Sequence, residues 1–310
     1  MKNLALSLPV GVVALLAVAV DTKTFEHTDR PSPAIEIFGS TPGDVQLKSM
    51  LLLPKETKID FVRWDLTLRR GENHTYPFTL NILFGIGKQG TPDFIGGGQS
   101  RTYAGTYAIK SLGGLEYFEL AGNDGIVVTL LRLNENLFHV LTPDNKLMVG
   151  NGCCSYTLTR KDLLPVSSAL PPVNSGEAMH PTSNEMVYVG RIPCAGFSSA
   201  YHFAVDAQCE KLKWKLTLRT DPRTHQPTTF KAFRVIHHAD SIEGRWKIVK
   251  GVTSHPGTAI YKLEATRPEY SISFLAGDEN ILFFLSPDNK KLLPANGDFS
   301  STLNRERGIK

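Results

Sequence analysis

Four cysteines in 310 residues are too few to hold a fold together by disulfides alone, which excludes a cysteine-rich scaffold. An excess of one charge is also lacking, since 34 Lys and Arg face 30 Asp and Glu without a basic block. That balance argues against a nucleic-acid-binding protein. The 26 glycines have no three-residue period, so a collagen helix is excluded. A composition 41% hydrophobic and 21% charged is not that of a disordered chain. Past residue 20 no apolar run is long enough to cross a bilayer, and no segment keeps an amphipathic helical period beyond a turn or two. What is present is enough apolar material for real cores, over a length that suits two domains of ordinary size.

The first residues have the form of a secretory signal peptide. Met1-Lys2-Asn3 precedes an apolar stretch, Leu4 to Val20, broken only by Ser7, Pro9 and Gly11, and Ala17-Val18-Ala19 supplies a small-x-small site. Cleavage after Ala19 would start the mature chain at Val20. The other reading is a retained anchor, for which Pro9 and Gly11 make a poor spanning helix. No Cys stands near Val20, so an N-terminal lipid anchor is not expected. The expectation is an exported protein, with no transmembrane segment after cleavage and with disulfides allowed. Residues 20–33 read as a polar leader. Residues 163–183, rich in Pro and Ser, read as a linker because such segments continue neither strands nor helices.

On either side of that linker the sequence repeats itself. Val62-Arg63-Trp64-Asp65-Leu66-Thr67-Leu68-Arg69 matches Leu212-Lys213-Trp214-Lys215-Leu216-Thr217-Leu218-Arg219. The run from Asn134 to Lys146 matches Asp278 to Lys290, including Pro143-Asp144-Asn145-Lys146 against Pro287-Asp288-Asn289-Lys290. Asn151-Gly152 and Thr157-Leu158-Thr159-Arg160 match Asn296-Gly297 and Thr302-Leu303-Asn304-Arg305. Matches in one order make residues 34–162 and 184–310 two copies of one domain. Within each copy the period is two: WDLTLR and WKLTLR alternate apolar with polar. FTLNILF, GTYAI, IVVTLLRL, LFHVL and SYTLTR add strands to copy one; TFKAFRVI, GRWKIV, AIYKLEA and ILFFL add them to copy two. The TPDNK and SPDNK segments have the residue order of a type I turn. Seven or eight short strands per copy indicate an all-β fold, an antiparallel barrel or sandwich. The barrel is preferred because closure removes edges.

Val189-Gly190-Arg191-Ile192-Pro193-Cys194-Ala195-Gly196, then LKWKLTLR, then Glu243-Gly244-Arg245-Trp246-Lys247-Ile248, with LFFLSPDNK and STLNR closing the copy, resembles the NlpE family of envelope proteins. The resemblance covers most of the second copy and, through the repeat, the first. It implies two tandem lipocalin-like barrels in a bacterial envelope, periplasmic or associated with an outer membrane, a role in copper resistance or envelope-stress sensing, and envelope proteins as partners. The family also carries a lipid anchor and a C-x-x-C pair. Here Cys194 is followed by Ala195-Gly196-Phe197, and copy one has Thr41-Pro42-Gly43 near the equivalent place.

The remaining chemistry-bearing residues each have a plain reading beside a functional one. Cys194 and Cys209 flank one segment and would close a short loop as a disulfide, worth about 3 kcal/mol. Second to that, Cys194 is the candidate copper ligand, and free thiols are the third option. Cys153 and Cys154, if on a strand, would point to opposite faces and pair only with strain. His202, His225 and the adjacent His237 and His238 are further candidate ligands, or solvated loop residues. Gly85-Ile86-Gly87-Lys88-Gln89-Gly90 fits G-x-G-x-x-G, but Thr91-Pro92 follows where a helix must open, so a hairpin loop is expected. Asp144 and Asp288 read as turn residues, and Trp64 and Trp214 as core. The reading is a non-catalytic binding or sensing protein, with copper as a candidate ligand, or else a carrier of a small hydrophobic ligand.

Overall fold

The computed structural model describes residues 34–71, 75–89, 91, 93–162, 183–235, 239–250 and 258–306. The segments read as signal peptide and polar leader, nearly all of the segment read as a linker, and His237 and His238 lie outside the described residues.

Alternation builds the strands. In β2 (Phe61–Leu68) Val62, Trp64, Leu66 and Leu68 are buried while Asp65 is exposed. β10 (Lys211–Thr220) repeats this with Leu212, Trp214, Leu216 and Leu218. A period of two sends every apolar side chain to one face. The first barrel is β1 (Ile35–Pro42), β2, β3 (Pro77–Gly85), β4 (Gln99–Leu112), β5 (Leu115–Gly122), β6 (Val127–Arg132), β7 (Leu137–Val140) and β8 (Thr157–Arg160). The second is β9 (Glu185–Pro193), β10, β11 (Pro227–Val235), β12 (Ala239–Lys250), β13 (Ala259–Ala265), β14 (Ile272–Asp278), β15 (Ile281–Phe284) and β16 (Thr302–Arg305). Neighbours in sequence pair antiparallel, β1 pairs with β8 and β9 with β16, so both sheets close as the sequence reading expects. Closure leaves no unpaired edge.

The closing strands β1 and β9 are absent from the strands read off the sequence, because each contains Gly and ends in Pro. Those glycines are there for close approach. Gly39 pairs with Trp64, and a Cβ on it would stand 2.8 Å from Leu158 Cδ2. Gly190 pairs with Trp214, and its Cβ would stand 2.5 Å from the Thr302 carbonyl oxygen. In each copy the Gly lets the last strand pack tightly against the first, which pairs on its other side with the Trp strand.

Two short helices follow the closing strands: α1 (Val45–Met50) after β1 and α2 (Cys194–Tyr201) after β9. Asp44 caps α1 by accepting the Leu47 N–H at 2.9 Å. Leu47 and Met50 join the first core, and Cys194 and Phe197 the second. The two PDN turns are alike. The Thr142 hydroxyl donates to Asp144 at 2.6 Å and the Ser286 hydroxyl to Asp288, while Asn145 and Asn289 take φ of 60° and 58°.

A third apolar core lies between the barrels, where Leu131, Leu137 and Leu141 share a cluster with Leu275, Ile281 and Leu285. Ser155 bonds to Ser300 at 2.8 Å and Thr157 to Thr302 at 3.1 Å, each pair 145 residues apart. Thr157 and Thr302 occupy the same position of the repeat, so the copies meet through the same face in the manner of a two-fold dimer. The described parts of both barrels form one compact unit.

Candidate functional site

Barrel interiors are the first place to look for a binding site in such a fold. In the second barrel the interior is filled. Phe197 of α2 is fully buried and packs at 5.3 Å from the Trp214 ring, 5.7 Å from Phe284 and 5.1 Å from Phe203. Phe274 continues the stack at 4.5 Å from Phe284. The first barrel is filled by Trp64, Phe78, Tyr103, Phe118 and Phe138, with the Trp64 indole N–H donating to Thr41 at 2.8 Å. Both tryptophans are therefore core, as expected from their strand faces.

Cys194 and Cys209 form a disulfide, with Cα atoms 5.8 Å apart. It ties the first turn of α2 to the segment entering β10. The Tyr201 hydroxyl pins the other end of α2 by donating to the Leu285 carbonyl at 2.6 Å, and its burial pushes that hydroxyl's pKa well up. Phe197 faces the core between these anchors, while Ala195 and Ser199 face outward. Beside that outward face lies a groove of about 730 Å³, lined among others by Ala195, Gly196, Cys209, Pro287 and Pro294. Glu210 and Asp298 are its carboxylates. The GRIPCA segment singled out in the sequence thus ends β9, begins α2 and forms one wall of the groove.

The other candidates are scattered. In the disulfide Cys194 offers a metal no thiolate. His202 ends α2 with φ of 56°, and His225 lies with φ of 54° in the turn between β10 and β11; both are exposed. Among the described residues no group of three His, Cys, Asp or Glu could hold a metal ion. Asp144 is held down to about 2 by its bonds to Lys146 and the Thr142 hydroxyl, and the Ser286 hydroxyl lowers Asp288 in the same way. Gly85 ends β3, and Gly87 bridges to Phe94 in the β3–β4 connection, a hairpin as expected. Among the described residues no helix is long and apolar enough to cross a membrane.

Cys153 and Cys154 differ from the strand reading. They lie in the loop before β8, with Asn151 Oδ1 accepting both of their backbone N–H groups, at 2.8 and 3.0 Å. The loop turns both side chains the same way, and the sulfurs stand 3.0 Å apart. A strand would have separated them; the side-chain acceptor two residues upstream overrides that geometry. His139, in the middle of LFHVL, carried no expectation. It is fully buried against the second barrel, between the Thr157 hydroxyl at 3.0 Å and the Met148 carbonyl at 2.9 Å, with its ring edge-on to Phe283. Searches against known protein families, curated proteins and solved structures found no match to this chain.

Proposed function

We propose that this chain is an exported, non-catalytic binding protein of a bacterial envelope, which takes a small apolar ligand in the groove beside α2. One observation carries the reading: both barrel interiors are filled by aromatic side chains, while a groove of about 730 Å³ lies outside, against the disulfide-tied helix. That volume falls within the range of small-molecule sites, and a helix anchored at both ends keeps such a site preformed. Export is supported by the form of residues 1–19 and by the disulfide.

The test is saturable fluorescence enhancement of a neutral apolar probe, N-phenyl-1-naphthylamine, with the full chain and with Ala195→Arg. The expected outcome is binding in the wild type and at least about a tenfold weaker affinity in the variant, because a guanidinium would fill the groove wall. Equal binding by both chains, or none by the wild type, overturns the reading. A second reading, copper handling or envelope-stress sensing, is favoured by the NlpE-like order of GRIPCA, EGRW and SPDNK. It requires a reduced Cys194. Titration with Cu(I), Cu(II) and Zn(II), before and after reduction and with Cys194→Ser, decides it: tight copper binding lost in the variant supports it, and no binding in either redox state removes it.

A further inference from the structure

The seam between the barrels holds a second cluster, which shares Asp298 and Phe299 with the groove but has its sulfurs and cations to itself. Cys153 and Cys154 come from the first barrel, and the second sets Arg191 and Lys211 beside them. Arg191 Nη1 donates to Cys153 Sγ at 3.3 Å, and the Cys154 thiol donates to the same sulfur at 3.0 Å. Lys211 and Arg63 line the same small cavity of about 50 Å³, together with Asp298. Arg63 is 3.8 Å from Asp298, and the Lys211 ammonium lies over the Phe299 ring. Cys153 is partly exposed and Cys154 is 8% exposed.

We propose that Cys153 and Cys154 are a dithiol–disulfide couple, with Cys153 the attacking sulfur and Cys154 the resolving one, and that the couple exchanges with small disulfides bearing carboxylates. The geometry meets each requirement. Attack needs a thiolate that is reachable, and Cys153 is the more exposed of the two. The Cys154 thiol, then Arg191 and Lys211, lower the Cys153 pKa to about 6 against the opposing effects of burial and Asp60, while the bond to Cys153 and burial push Cys154 up. Resolution needs the second sulfur within reach, and the Asn151 turn holds it there. The cations select the partner, because an anionic disulfide is drawn to Arg191 and Lys211 whereas a cationic one is repelled.

The exchange balances. The Cys153 thiolate attacks one sulfur of R–S–S–R, forming a mixed disulfide and releasing one R–S⁻. Cys154 gives its proton to solvent and attacks Cys153 Sγ, which forms the Cys153–Cys154 bond and releases the second R–S⁻. The two cysteines lose two electrons, and the small disulfide becomes two thiols once they are protonated. The repeat gives this site a reason for tandem copies. The second copy has Asp298-Phe299 where the first has Cys153-Cys154, after the matched Asn296-Gly297 and Asn151-Gly152. One barrel brings the sulfurs and the other Arg191 and Lys211, so neither copy has the site alone.

The experiment treats the full chain, with Cys194–Cys209 intact, with oxidised glutathione at neutral pH and reads intact mass, released thiol and the disulfide map. The expected result is loss of two hydrogens, release of two reduced glutathiones and a mapped Cys153–Cys154 bond. Cys154→Ser stops at one glutathionyl group on Cys153, and Cys153→Ser reacts at least about tenfold more slowly. Arg191→Gln slows the wild-type reaction about tenfold at neutral pH, and the gap closes at alkaline pH, where the thiol ionises unaided. Cystamine, a cationic disulfide, reacts more slowly than oxidised glutathione. Retention of both thiols by the wild type under excess oxidised glutathione overturns the couple, and this measurement needs no variant to fold. Equal rates for the two Cys→Ser chains overturn the assignment of roles, and faster reaction with cystamine overturns the anionic partner. None of these readouts depends on whether the groove binds an apolar probe.

Discussion

At the scale of single residues, His139 shows what burial does to a titratable group. Its neighbours Thr157, Met148 and Phe283 carry no charge. Burial lowers its pKa from the ordinary 6.5 to about 4, even though the Met148 carbonyl favours the protonated ring. In the unfolded chain the imidazole protonates near its ordinary value. The folded protein therefore keeps its full stability above that value and loses it as pH falls from 6.5 towards 4. Over that window the loss is about 3 kcal/mol. His139→Phe, which places the residue found at Phe283 in the other copy, is expected to flatten the dependence. Melting temperatures of the two chains at a series of pH values check this; parallel curves would show that the acid sensitivity lies elsewhere. Nothing in LFHVL marks this histidine, because a strand residue's face is legible while the second barrel that covers it is not.

Secondary-structure elements diverge in how much of them local sequence shows. β2 and β10 are plain from alternation alone, and their partners β3 and β11 likewise. β1 and β9 are not, because a Gly and a closing Pro imitate a turn, and the Gly acts only through a strand at the far end of the domain. α1 and α2, six and eight residues long, are too short to display a helical period. The disulfide at α2 was one of three alternatives for Cys194, and only the folded geometry selects it. Because the bond closes a short loop, Cys209→Ser is expected to cost about 3 kcal/mol. The signature is a lower denaturant midpoint, with a slope that rises because the unfolded chain freed of the bond is more expanded. An unchanged midpoint would mean that the aromatic packing of Phe197 holds α2 without the bond.

For the molecule as a whole, the seam couples the two barrels. Leu131, Leu137 and Leu141 with Leu275, Ile281 and Leu285 form an apolar core of their own, and equivalent hydroxyls bond across it. Such a core makes unfolding of one barrel expose the face of the other. The wild type is therefore expected to unfold in a single calorimetric transition. Leu275→Asp would bury an unpaired carboxylate in the seam, lowering stability by about 3 kcal/mol or more and splitting the melt in two. One unchanged transition in that variant would show that the barrels stand independently of the seam.

Sequence by itself determined the all-β class, the duplication, the two PDN turns and the core placement of Trp64 and Trp214, because alternation is legible in any window of the chain and repetition in a comparison of its two halves. Tertiary structure alone decided the closure through β1 and β9, the filling of the interiors by α1 and α2, the two-fold seam, and the meeting of Cys153 with Arg191. Each of these depends on residues that are distant in sequence and brought together only when two sheets close and pack face to face. The spacing of residues along the chain carries no trace of that contact until the barrels exist.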